Sequence, residues 1–292
     1  MAYKNMPFVE FAESYGLIIR SLDVGRWVRV PTTDHPRKKN GAYFYERDFG
    51  HVQNWGNMSN CISWRDDREY SPIDRAALDA RIESSHKAHA QDRAKAQQQA
   101  ARKAKDIISK SNLEQHAYLH SKGFPDEQGL VYYPNEKTNL LVIPMRIGSA
   151  IVGCQTIDRD GSKKFMFGQR CARAEHRIGN CGVDLWCEGL ATGLSINAVM
   201  LVLKMPYTIH VCFSASNMEA MAKASKSGFV IADNDASGTG ERVAKETGLP
   251  YFMPEIVGQD FNDIHKEFGL FKASQILRNG LMLADIEKRR AI

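Results

Sequence analysis

Apolar and polar positions along the chain fall into distinct textures. Over the first 75 residues, short apolar pieces, WVRV (27–30), GAYFY (41–45) and NCISW (60–64), alternate with turn formers, which predicts a small β-rich module. Residues 76–106 contain neither Gly nor Pro and are dominated by Ala, Gln, Lys and Arg. These are helix formers without a clear apolar stripe, so they predict a polar helix that connects two units through solvent. In NLLVIPMRIGSAIVGCQTIDRDGSKKFMF (139–167) three β-prone runs are separated by Gly-Ser and by Asp-Arg-Asp-Gly, the pattern of an antiparallel meander. After Gly182, short apolar strands alternate with helical stretches: VDLWC, 190–204, TIHVCF, 217–226, GFVIA, 238–247 and PYFM. That alternation predicts a parallel sheet covered by helices.

Ligands of open parallel sheets bind beyond the carboxyl ends of the strands, so the residues that follow each strand carry the chemistry. Glu188 follows VDLWC, and Asp233 and Asp235 follow GFVIA within ADNDASGTG. Three carboxylates on one sheet edge, without a histidine or thiolate partner, form a hard oxygen set that suits Mg²⁺ or Mn²⁺ holding phosphates rather than zinc. Side chains at i and i+2 leave an extended strand end on one face, where they can share an ion. A lone Asp-x-Asp is common in acidic loops. Strand-Glu-Gly followed about 45 residues later by strand-Asp-x-Asp-x-x-Gly is far more specific.

The chain has 292 residues, 43% of them hydrophobic, enough for two or three compact units. It lacks an apolar run of membrane-spanning length, and its opening has no signal-peptide core, so the expectation is a cytoplasmic protein with no membrane partner. Its six cysteines form no C-x-x-C pair and are read as reduced thiols. The net charge of +5 gains meaning only when mapped. Residues 137–177 hold eight basic side chains against three acidic ones, whereas from 182 onward acids lead by 13 to 11. A scattered solvated surface would give such totals. So would an enzyme whose cations hold phosphates and whose carboxylates hold metal ions.

Glu188, Asp233 and Asp235 in that strand context resemble the TOPRIM domain shared by bacterial-type primases, topoisomerases and some nucleases, over residues 182 to about 268. FSASN (213–217) and QDFNDIHKEFG (259–269) are most similar to the branch found in phage and plasmid primases. AYLHSKG (117–123), LLVIPMR (140–146), IVGCQTI (151–157) and GSKKFMFG (161–168) resemble the subdomain that precedes TOPRIM in primases. The segment GRWVRV through NCISW is similar to the opening module of such enzymes. The resemblance implies an α/β TOPRIM domain, a parallel sheet flanked by helices, over 182–270. Before it would come a basic α+β subdomain (107–181), a helical linker (76–106) and a β-rich N-terminal module (1–75); a C-terminal helix (271–292) would follow.

It further implies a DNA primase that makes short oligoribonucleotides on a single-stranded DNA template by metal-dependent nucleotidyl transfer. Such an enzyme would serve phage or plasmid replication in a bacterial host cytoplasm. Glu188 would be a general acid or base or a metal ligand, and Asp233 and Asp235 would hold Mg²⁺ or Mn²⁺. Asp260 and Asp263 are further metal candidates that could equally cap a helix. Arg146, Lys163, Lys164 and Arg170 would contact nucleoside triphosphates or template, Lys164 foremost. No Walker-type phosphate loop is present, which leaves unwinding to a separate replicative helicase. No zinc site is expected, because His35, His51 and Cys61 lack ligand spacing. Template recognition in the N-terminal module would then fall to Arg26, Arg29, Arg37, Lys38 and Lys39 with Trp27, Tyr43, Phe44 and Tyr45, whose plainer reading is an aromatic core beside a charged loop. His116 and His120 are expected on a helix surface. The alternatives in function are a TOPRIM metal-dependent nuclease and a non-catalytic DNA-binding replication accessory protein.

Overall fold

The computed structural model describes residues 6–55, 58, 61–66, 68 and 71–290. The opening residues 1–5, residues 56, 57, 59, 60, 67, 69 and 70 of the N-terminal module and residues 291–292 of the expected C-terminal helix lie outside them. Among the described residues, three sheets and seven helices give a mixed α/β chain. It divides into two compact units, Met1–Asp92 and Arg93–Ile292.

In the first unit, helix α1 (Phe8–Ser14) packs on an antiparallel meander of β1 (Trp27–Val30), β2 (Gly41–Glu46), β3 (Phe49–Asn54) and β4 (Ile62–Arg65). Alternation along β2 sends Tyr43 to one face, with Phe8, Val52 and Trp64, and Phe44 to the other. There Phe44 and Phe49 meet Leu78 and Ile82 from the first part of helix α2 (Pro72–Ser109). Tyr43 and Phe44, expected to stack on DNA, are therefore interior residues at 0% and 1% exposure. The Tyr43 hydroxyl is satisfied inside, donating to the Ser21 carbonyl and accepting from the Asp23 N–H, each at 2.9 Å. Arg29 lies over the Trp55 ring at 4.0 Å. On β3, burial and the neighbouring His86 and His89 push the His51 imidazole down to about 4.

The second unit begins in the same helix. Ala104 and Ile107 of α2 pack against Val142 and Cys154, and Ala100 one turn earlier is buried as well. The expected polar connector thus buries positions in both its parts; its apolar stripe is half alanine, which a hydropathy reading passes over. The sheet beneath runs antiparallel in the order β5 (Asn112–Glu114), β6 (Gly129–Asn135), β7 (Thr138–Ile147), β8 (Ala150–Ile157) and β9 (Lys163–Phe165). Strands β7 to β9 form the meander expected from the turns at Gly148-Ser149 and Asp158–Gly161. Helix α3 (Ala117–Ser121) starts at His116, whose Nδ1 accepts the Tyr118 N–H at 3.2 Å. At 3% exposure, His116 is a buried cap rather than the surface residue expected.

The other sheet of this unit has the order β10-β12-β11-β13-β14, built from β10 (His176–Gly179), β11 (Val183–Cys187), β12 (Tyr207–Val211), β13 (Phe229–Ile231) and β14 (Tyr251–Phe252). All are parallel except β10, an antiparallel edge that the strand–helix alternation after Gly182 did not include. Helices α4 (Leu190–Leu203) and α7 (Phe261–Arg290) bury Ile196, Val199, Met200, Phe261 and Leu277 on the cluster that holds Leu185, Ile209 and Ile231. Helices α5 (Ala215–Ser225) and α6 (Thr239–Thr247) pack Met218, Ala222, Val243 and Ala244 on Trp186 and Val230. The expected C-terminal helix is the later part of α7, which breaks at Gly269, where φ is 78°. Among the described residues no helix is long and apolar enough to cross a membrane.

A buried charged group ties the β10 side of this sheet together. His210 of β12 lies between the carboxylates of Glu175 and Asp184, its Nε2 3.0 Å from Asp184, with the Trp186 ring stacked on it at 4.0 Å. Burial works upward on the Glu175 carboxyl, but His210 and Arg177 outweigh it and hold it below the usual carboxylate range.

The turn into β11 needs Gly182. It has φ +77°, and a Cβ there would stand 2.0 Å from the Pro206 carbonyl oxygen. Gly182→Ala should lower the unfolding free energy by about 2 kcal/mol or more, read from urea denaturation. An unchanged midpoint would contradict the close approach.

Candidate functional site

The chain passes from β11 through α4 to β12 on one side, then through α5 back across to β13 on the other. That reversal opens a crevice at the carboxyl ends of β11 and β13, where an open α/β sheet binds its ligand. Glu188 leaves β11 into this crevice and Asp233 follows β13. Both line a small cavity of about 100 Å³ together with Asp260, Lys163, Lys122, Tyr118, Gln155 and Phe213. Gly240, at the start of α6, lets the chain pass close beneath Asp233, since a Cβ there would stand 1.9 Å from the Asp233 carbonyl oxygen.

The cavity holds more negative charge than its own groups neutralise. Burial raises the Asp233 carboxyl, and Glu188 and Asp260 raise it further, against the opposing pull of Lys163, to about 7. Burial also raises Glu188, with Lys163 and the Ala215 N–H pulling back and Asp235 adding to the rise. Two polar atoms of the cavity lining, Asp233 Oδ1 and the Tyr118 hydroxyl, are buried without a hydrogen-bond partner. Burial and the charge of Asp260 push the Tyr118 phenol up to about 12, so it stays a proton donor across the physiological range.

The residues expected to act together divide. Asp235 does not line the cavity with Asp233, because β13 ends at Ile231 and the Asp-x-Asp segment is loop rather than strand end. Its carboxylate accepts the N–H groups of Ser237 at 2.8 Å and Gly240 at 3.1 Å, which caps α6. Burial works upward on Asp235, but the hydrogen bonds from Ser237, Gly240 and Thr239 outweigh it and hold the carboxyl low. It bears on Glu188 and Asp233 through its charge. Asp260 and Asp263 cap α7 reciprocally, each accepting the other's N–H, at 2.9 and 3.0 Å. Only Asp260 also lines the cavity.

Among the cations, Lys163 lines the cavity and Lys164 does not. The two are successive residues of β9, and period-2 alternation gives them opposite faces. The Arg146 guanidinium donates to the Ser149 carbonyl at 3.0 Å in the β7–β8 turn, and Arg170 is exposed in the loop after β9. Lys122 and Tyr118 were missed, since nothing in AYLHSKG marks them apart from ordinary helix residues.

Asn217, the last residue of FSASN, has a task that helix-start statistics do not suggest. Its Nδ2 donates to the carbonyls of Ala174 and Cys212, each at 2.8 Å, and its Oδ1 accepts the Arg173 N–H at 2.7 Å. It thereby fixes two non-glycine residues held at positive φ, Arg173 at 62° and Phe213 at 68°. The Phe213 N–H in turn donates to the Glu188 carbonyl at 2.8 Å, so this clamp sets the backbone next to the acidic cavity.

Among the described residues, no three of His, Cys, Asp and Glu form a ready ligand cage. Hard oxygen donors, an unpartnered Asp233 oxygen and the repulsion of Glu188 and Asp260 on Asp233 are what Mg²⁺ or Mn²⁺ would answer here. No protein-family model and no curated protein compared with this chain matches it.

The sign of the pH dependence follows from Asp233. Its carboxyl is raised in the fold, so its contribution to stability is present at low pH and is lost as the pH rises through about 7. Metal-free Asp233→Asn should be more stable than the parent at pH 8 by roughly 2–4 kcal/mol, the gap closing toward pH 4. Thermal unfolding in chelator measures this. A gap that does not change with pH would refute the repulsive cavity.

Proposed function

We propose that this chain is a metal-dependent nucleotidyl transferase of the TOPRIM type, acting as a DNA primase on single-stranded templates. The observation that carries the reading is the half-buried, under-neutralised trio of Glu188, Asp233 and Asp260 at the reversal point of a parallel sheet, faced by Lys163. Strand–Glu188-Gly and strand–Asp233-x-Asp235, the primase-like segments upstream and the local excess of basic residues over 137–177 support it from the sequence side.

In this reading Glu188, Asp233 and Asp260 would hold Mg²⁺ or Mn²⁺, with Asp235 adding negative potential from its capping position. The bound ion supplies neutralisation of phosphate charge and a lowered pKa for the attacking hydroxyl. The chain's own residues do the rest. Lys163 and Lys122 bring positive charge to the triphosphate oxygens, and the unpartnered Tyr118 hydroxyl donates to an oxygen of the substrate. Glu188, its carboxyl raised by burial and so more basic than an ordinary carboxylate, is placed to take the proton that the reacting 3′-hydroxyl gives up. The 3′-oxygen forms its bond to the α-phosphorus as the bond to the pyrophosphate oxygen breaks. Positioning and electrostatics, rather than a covalent enzyme intermediate, supply the rate.

Single-stranded DNA, labelled ribonucleotides and Mg²⁺ or Mn²⁺ should yield short oligoribonucleotides with the parent protein. Glu188→Gln and Asp233→Asn should each reduce the yield by roughly 100-fold or more. Mg²⁺ should also raise the melting temperature of the parent and leave that of Asp233→Asn nearly unmoved. Cleaved template without new oligonucleotides would overturn primer synthesis in favour of a nuclease.

A further inference from the structure

The first unit carries a second cluster of metal-competent side chains, unrelated to the carboxylates. His51 on β3 and His86 on α2 aim their Nε2 atoms at each other across 3.0 Å. His51 is fixed from behind, its Nδ1 3.0 Å from the Ser63 hydroxyl on β4. The Trp27 ring stacks beside it at 6.2 Å, and Phe44 and Phe49 flank it at 6.1 Å. His89, three residues after His86, rests edge-on against Phe44 with centroids 4.6 Å apart.

Two imidazoles facing nitrogen to nitrogen can share one proton, or both can offer lone pairs to a cation between them. The separation suits the first case as it stands, and a small opening of the pair would suit the second. Zn²⁺–N bonds of about 2.0–2.1 Å at a tetrahedral angle place two ligand nitrogens about 3.3 Å apart, a few tenths of an ångström from the distance here. A ligating histidine also hydrogen-bonds through its other ring nitrogen, which orients the ring and fixes the tautomer. Ser63 occupies that place for His51. His86 is exposed, so its second nitrogen can face water in either tautomer, and turning its lone pair inward costs little.

We propose that His51 and His86 form a binding site for a borderline transition-metal cation, Zn²⁺ above all, that clips α2 to the sheet of the first unit. Among the described residues no third His, Cys, Asp or Glu completes the set, so water fills the remaining positions and the ion is exchangeable. Nitrogen donors select Zn²⁺, Ni²⁺ or Cu²⁺ and the oxygen donors of the acidic cavity select Mg²⁺ or Mn²⁺, so the two sites differ in metal preference. The two residues are 35 positions apart in sequence, on a strand and a helix. The proposal does not depend on the function proposed above.

Calorimetric titration of chelator-treated full-length protein with ZnCl₂ should show one saturable site, and the same Zn²⁺ should raise the melting temperature. His86→Ala, at an exposed position, should fold as the parent does and lose at least tenfold in Zn²⁺ affinity. His51→Gln should do the same, while Asp233→Asn should keep the Zn²⁺ response. Co²⁺ bound in place of Zn²⁺ should lack the near-ultraviolet sulfur-to-metal band that a cysteine site gives. Zn²⁺ binding that is absent from the parent, or equally strong in His86→Ala and His51→Gln, would overturn the site and leave the pair as an imidazole–imidazole hydrogen bond.

Discussion

Burying carboxylates costs free energy unless something positive answers them, and the second unit is organised around that constraint. Glu188 and Asp233 are delivered to one cavity because β11 and β13 are adjacent parallel strands whose flanking connections run in opposite directions. The cost appears as raised carboxyls and an oxygen without a partner. Lys163 offsets part of it from the edge strand β9, so the antiparallel sheet and the parallel one each supply what the other lacks within a single unit.

The surroundings of the cavity hold these groups in place. Asp235 caps α6, and Asp260 and Asp263 cap α7, so the helices that frame the cavity start from acidic residues next to it. Asn217 holds Arg173 and Phe213 in left-handed backbone beside Glu188. Among the described residues, two of the four non-glycine positions at positive φ thus lie at the same sheet edge as the unpartnered Asp233 oxygen. The Glu175–His210–Asp184 group shows the contrasting solution, in which the buried Glu175 carboxylate is answered internally and held low.

The histidine pair of the first unit raises the same question with other donors. His51 and His86 come from a strand and a helix brought together by Phe44, Phe49, Leu78 and Ile82, so the aromatic pattern that suggested DNA stacking instead builds the core beneath two imidazoles.

Local pattern alone determined the alternation of strands and helices after Gly182, the β7–β8–β9 meander and the placement of Glu188 and Asp233 just beyond strands. Each depends on short-range rules: period-2 or helical periodicity, turn residues between runs, and the position after a strand. Tertiary structure decided the rest. It moved Asp235 from cavity to cap, brought Asp260, Lys122 and Tyr118 to the cavity from distant segments, chose Lys163 over Lys164 through the phase of one edge strand, and buried Tyr43, Phe44 and the alanine stripe of α2. Those outcomes turn on which face of an element is covered and on where a strand stops. Long-range packing sets both, and no window of neighbouring residues encodes them.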